Sequence, residues 1–162
     1  MDRPYETAQI ILQNKSDLEI TKIEKLVEIS HGLWEGKLEA EINEEWPNLL
    51  KNWHDKPEEV IMPEGESIRD VSERSVKAFK KICLSQKEND LTLLVAHDAV
   101  NKTLICNILS IDYSNIWKIK QGNGGITVID LSEKECQPDQ ITCLNITSHL
   151  GGIIDSTASG AL

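Results

Sequence analysis

Apolar positions along this chain recur with two periods, and each change of period marks a change of element. Ile68, Val71, Phe79 and Ile82 share one helical face, which predicts an amphipathic helix starting near residue 68. Ser67 and Asp70 ahead of it form a capping-box start, with Asp in place of the usual Glu or Gln. "LTLLVA" (91–96) is an unbroken apolar run between "END" and His97. That pattern predicts a strand buried on both faces, as in a parallel sheet, followed by a helix over roughly 99–109. "GGITVIDL" (124–131) and "QITCLNIT" (140–147) read as β-branched strands separated by "SEKECQPD".

Earlier in the chain, Asp2 as an N-cap with Pro4 in the first turn predicts a helix through "YETAQIILQ". "DLEITKI" (17–23) has the look of a strand, and "KLVEISHGLWEGK" that of a loop with two glycines. Two short helices, "LEAEINEEW" and "NLLKNWHD", meet at Pro47, and "MPEGES" turns the chain through Pro63 and Gly65. Strands alternating with helices give an α/β class. Residues 1–147 are expected to form one domain, with 148–162 a flexible, Gly- and Ser-rich tail.

Composition narrows the function. With 162 residues and 40% apolar content, the chain is long enough for one globular core. A formal charge of −10 argues against a nucleic-acid or anionic-membrane surface. No apolar run approaches the ~18 residues of a membrane span, and the N-terminus carries no signal-peptide pattern. Cys83, Cys106, Cys136 and Cys143 lack CxxC spacing, so reduced structural cysteines in a cytoplasmic protein are expected, with no metal and no cofactor. A zinc site on Cys136 and Cys143 is the weaker alternative.

His97 carries the sharpest chemical signal. It stands after an apolar run and before a helix, where helix N–H groups point at anions, and a histidine there can stabilise charge on a phosphate. A capping histidine without chemistry is the plain alternative. Glu28, in "LVEISHGLWEGK", is a carboxylate against apolar residues, the setting in which a carboxyl stays protonated and acts as a general acid. The glycines of that segment allow backbone to approach a ligand closely, although a tight turn around a packed Trp explains them equally. Arg3 offers the forked donors that grip phosphate.

In order and spacing, "RPYETAQIIL", "LVEISHGLWEGK", "MPEGES", "LLVAHDAVNKTLI" and "QGNGGITVIDL" resemble the histidine phosphatase, or phosphoglycerate mutase-like, family over residues 3 to 131. "LNITSHLGG" resembles the close of the C-terminal domain in tandem bacterial members. The resemblance implies a three-layer α/β/α fold and phosphoryl transfer or hydrolysis on a small phosphorylated metabolite. It assigns Arg3 to the transferred phosphoryl group, Glu28 to protonation of the leaving oxygen, His97 to the phosphoryl group in flight, and Asn123 to the pocket rim.

Two departures stand out. Asp98 follows His97 where the family usually has glycine; its carboxylate is unfavourable beside phosphate unless turned away or protonated, and it rivals Glu28 as the acid. The family's nucleophile lies in an Arg-His-Gly motif on its first strand, and no Arg-His-Gly occurs in these 162 residues. His31 follows Ser30 and belongs to a different motif, so it is no replacement. The expectation is an N-terminally truncated domain, lacking first strands and a helix on the order of fifty to sixty residues. Alone it should be inactive, and it should self-associate through the exposed "LTLLVA" sheet edge. A non-catalytic anion-binding module and a partial gene model are the rival readings.

Overall fold

The computed structural model describes residues 3–15, 17–132 and 139–151. The expected N-cap Asp2, the possible zinc ligand Cys136 and the tail beyond 151 lie outside the described residues.

Helix α1 (Arg3–Leu12) buries none of its residues. Two short helices follow, α2 (Glu39–Glu45) and α3 (Pro47–Asp55), the second opening on Pro47 in its first turn, where a missing N–H costs nothing. The longest helix is α4 (Ile68–Leu84), which buries Ile68, Val71, Ser72, Ser75, Val76 and Phe79. Those positions trace the continuous stripe expected of a helix packed on one side. Its start is the predicted capping box: Ser67 Oγ accepts from Asp70 N–H at 3.2 Å, and Asp70 Oδ2 accepts from Ser67 N–H at 2.9 Å.

Against that stripe lies α5 (Asp98–Ile108), burying Ala99, Val100, Thr103, Leu104, Ile105 and Cys106. Small residues meet at the crossing, where Ser75 Oγ and Thr103 Oγ1 are 3.2 Å apart, so the two helices approach closely without an orphaned buried hydroxyl. Strands β1 (Ile126–Asp130) and β2 (Gln140–Ile146) pair antiparallel, with Ile129 opposite Ile141. They fall inside the two predicted strand segments. From the presumptive tail, residues 148–151 fold back: a 3-10 turn at Ser148–Leu150 brings His149 Nε2 to 3.0 Å from Gly124 O.

Two expected strands are not formed. "DLEITKI" (17–23) carries no strand, and "LTLLVA" (91–96) is neither paired nor buried, with Leu91 98% and Leu93 59% exposed. The physical reason is non-local. A strand exists only through a ladder partner, and among the described residues the sheet consists of β1 and β2 alone. Leu94 and Ala96, on alternate positions of the run, still pack against the core.

At Gly32 the tight turn around a buried Trp34 is the reading the structure bears out. Gly32 has φ +54°, and a Cβ there would lie 2.1 Å from Pro63 O; one on Gly65 would lie 2.5 Å from Ser30 O. The close approach that Gly32 and Gly65 permit is between the 30–33 loop and the "MPEGES" turn. Leu33 N–H donates to Pro63 O at 2.9 Å, and Glu66 N–H to Ser30 O at 2.8 Å, which ties the Glu28 segment to the start of α4.

Candidate active site

His97 is the N-cap of α5, in extended conformation (φ −124°, ψ 168°), so the free N–H groups of the helix begin directly after it. Its Nδ1 stands 3.9 Å from Glu28 Oε2, with the histidine side chain 11% and the glutamate side chain 27% exposed. The two residues, 69 positions apart in the chain, are thus brought together. Asp98 N–H donates to Glu28 Oε2 at 3.2 Å, and Ile29 N–H to Glu28 Oε1 at 3.0 Å.

Burial sets the charge state of the pair. It pushes the Glu28 carboxyl above the usual carboxylate range; the bond from Ile29 opposes this, and the charge of Asp98 adds to it. His97 is pushed below the usual histidine range, first by burial and then by the positive charges of Arg3 and Arg74. Both shifts favour the uncharged forms. Burial thus works against the charged form on both sides of the contact. His31 is likewise lowered by burial, against the pull of Glu28 and Glu35.

Arg3, on the exposed first turn of α1, is close enough for its charge to act on His97. Asp98 behaves differently from Glu28: its side chain is half exposed, and Oδ2 meets Lys102 Nζ at 2.8 Å, one turn along α5. The carboxylate is turned along the helix and neutralised by a lysine, which answers the objection to an acidic group after His97. Asn123 sits exposed in a turn closed by Gly125 N–H to Gly122 O at 2.9 Å, with Gly124 at φ +73°.

Several contacts around the site were not foreseen from the sequence. Asn145 accepts from Gly122 N–H at 2.8 Å through its Oδ1 and so pins the Asn123 turn from β2. Trp53 stacks edge-on against Trp34, Trp117 and His31, with centroids 6.4, 4.9 and 6.3 Å away. Trp117 Nε1 donates to Trp53 O at 2.7 Å, and the Lys102 ammonium lies 5.1 Å from the Trp117 ring. These aromatics wall the cleft that Arg3, Glu28, His97 and Asn123 also line. Among the described residues no cluster of three or more His, Cys, Asp or Glu side chains could hold a metal ion, and no helix is long and apolar enough to cross a membrane.

An α/β frame that brings a histidine, a protonatable carboxylate and an arginine together at a helix N-terminus defines a class of anion-handling proteins. The chain belongs to the histidine phosphatase superfamily, branch 1, whose family model matches residues 1–143. It is 33% identical over 151 residues to phosphoserine phosphatase 1 of Hydrogenobacter thermophilus, covering 93% of this chain and 69% of that protein. Among solved structures it is similar to Bacillus stearothermophilus YhfR, with TM-score 0.83 and 26% identity, over 91% of this chain and 71% of that one. A phosphoserine phosphatase variant from Entamoeba histolytica, in complex with phosphoserine, matches with TM-score 0.76 and 30% identity, over 91% of this chain and 71% of that one. The fold is the phosphoglycerate mutase-like α/β fold of this superfamily.

Proposed function

We propose that this chain carries the proton-donating and phosphoryl-stabilising part of a histidine phosphatase site for small phosphomonoesters. One observation carries the reading: a half-buried Glu28 carboxyl held 3.9 Å from His97 at the head of α5. In such a site Arg3 and His97 hold the phosphoryl oxygens. The N–H groups at the start of α5 add positive potential. As the nucleophile of a complete site bonds to phosphorus and the P–O bond of the ester breaks, Glu28 gives its proton to the departing oxygen. Hydrolysis is favoured over transfer to a second sugar acid because two of the similar proteins named above are phosphoserine phosphatases. Phosphoserine is the natural first substrate to try.

The nucleophile that the family resemblance requires has no counterpart among the 162 residues, which contain no Arg-His-Gly. Taken by itself, the chain is proposed to bind phosphoryl groups without forming the covalent intermediate. The unpaired run 91–96 is proposed as a pairing edge between copies. Free Cys83, Cys106 and Cys143 fit a reducing, cytoplasmic setting.

Titration with inorganic phosphate, followed by the His97 ring and Asp98 amide resonances, tests the site. Saturable shifts at both positions are expected, lost in Arg3→Ala, with the Asp98 amide shift also lost in His97→Ala. An Asp98 amide shift that persists in both variants would place the anion elsewhere and overturn the reading.

A further inference from the structure

We propose that Arg74 and Glu66 form a clamp that holds Glu28 in place, which makes Arg74 a positioning residue of the site rather than a phosphate ligand. The inference rests on the assignment of Glu28 as proton donor.

Arg74 projects from α4 with its side chain only 14% exposed, and its guanidinium is fully occupied. Nε donates to Glu66 Oε1 at 2.7 Å, and Nη2 donates to Glu66 Oε2 at 2.9 Å and to Glu28 O at 3.0 Å. Nη1 donates to Lys25 O at 2.9 Å and Val27 O at 2.7 Å. A guanidinium has five N–H donors, and each finds an acceptor here. None is left for a phosphoryl oxygen. The carbonyls it satisfies belong to a segment without strand pairing, whose polar groups need partners from elsewhere.

Glu66 completes the device. Beyond its bidentate pairing with Arg74, its Oε2 accepts from Ser30 N–H at 3.0 Å, while Glu66 N–H donates to Ser30 O at 2.8 Å. Burial alone would raise the Glu66 carboxyl; the bonds from Arg74 and Ser30 hold it below the usual range, so it stays ionised as the anchor. Glu28 is thereby gripped at its peptide by Arg74 and, immediately beyond Ile29, by Glu66. Its carboxylate reaches across to the Asp98 N–H of α5. Fixing the backbone on one side fixes the reach on the other. A shift of about 1 Å at a reacting group can cost about 10²-fold in rate. Lysine cannot substitute fully, because an ammonium has three donors and no planar fork.

The test follows the Glu28 side-chain carboxyl carbon by NMR against pH in the whole chain, with the Asp98 amide proton as a second reporter. In the wild type, Glu28 should titrate above the ordinary carboxylate range, and the Asp98 amide should move with the same midpoint. Arg74→Met and Glu66→Gln should bring the midpoint down toward the ordinary value and uncouple the Asp98 amide, with Arg74→Lys between. Thr103→Val, which disturbs the α4–α5 seam without touching residues 25–30, should lower the melting temperature and leave both signals alone. A folded Glu66→Gln protein with unchanged Glu28 midpoint and Asp98 coupling overturns the clamp, and this variant decides if Arg74→Met fails to fold. A wild-type Glu28 that titrates in the ordinary range defeats the assignment of the acid instead, and the Asp98 coupling still reports whether Arg74 and Glu66 set its position.

Discussion

Glu28 is placed where its fold and its chemistry pull against each other. Ionising a carboxyl that burial has pushed up costs free energy, so the charged form is destabilised in the folded protein. Glu28→Gln removes that cost while removing the proton. The variant should melt no lower than the wild type at pH 7, and in a catalytically complete site it should lose about 10²–10⁴-fold in turnover. A melting temperature well below wild type would show that the carboxylate is structural. His97 and His31 act in the opposite direction on the acid side. Their folded pKa values are depressed, so just below the ordinary histidine value of about 6.5 the unfolded chain binds more protons than the folded one. Stability should therefore fall as pH drops through that window, and His97→Gln should flatten the slope of denaturant midpoint against pH. An unchanged slope would contradict the burial of a neutral imidazole.

At the scale of elements, α4 is the piece on which the site is assembled, since it carries Ser67, Asp70 and Arg74 and packs on α5 behind His97. Ser67→Ala removes the hydroxyl that accepts from Asp70 N–H and should cost about 1 kcal/mol of stability by chemical denaturation. Gly32→Ala should cost about 1–3 kcal/mol or more, because it demands φ +54° of a residue with a Cβ and drives that Cβ onto Pro63 O. A Gly32→Ala protein as stable as wild type would mean that the two loops part easily. Much of this layer was legible beforehand. A 3.6-residue apolar period and a local cap are written in neighbouring residues, so α4 and α5 follow from them, and Glu28 and His97 stand out inside quoted motifs. The failures were non-local. Residues 17–23 and 91–96 have strand-like patterns, but a pattern records what a segment can pair with, not whether a partner stands beside it. Arg74 was missed although a signal existed: it stands three residues after Val71, a charge set on the buried stripe, where a charge needs acceptors. Asn145 stands in "LNITSHLGG", but nothing local names its partner, since its bond to Gly122 spans β1 and the whole connection to β2.

For the whole molecule, the unpaired 91–96 run is the edge proposed above for pairing between copies. Leu91 and Leu93 are exposed beside a backbone with no ladder partner among the described residues. Size-exclusion chromatography of the 162-residue chain should show concentration-dependent oligomers, and Leu93→Lys should shift them toward monomer without a loss of core packing. A monomer at all concentrations would contradict this. The central claim is that these residues supply one part of a phosphatase site and lack its nucleophile. Hydrolysis of phosphoserine and p-nitrophenyl phosphate, measured for the chain alone and for the chain fused behind a family segment that carries Arg-His-Gly, tests it most directly. The account predicts no turnover for the first, and for the second a turnover that is abolished in His97→Ala and reduced in Glu28→Gln. Hydrolysis by the chain alone that vanishes with His97→Ala, or a folded fusion that hydrolyses nothing, would contradict it.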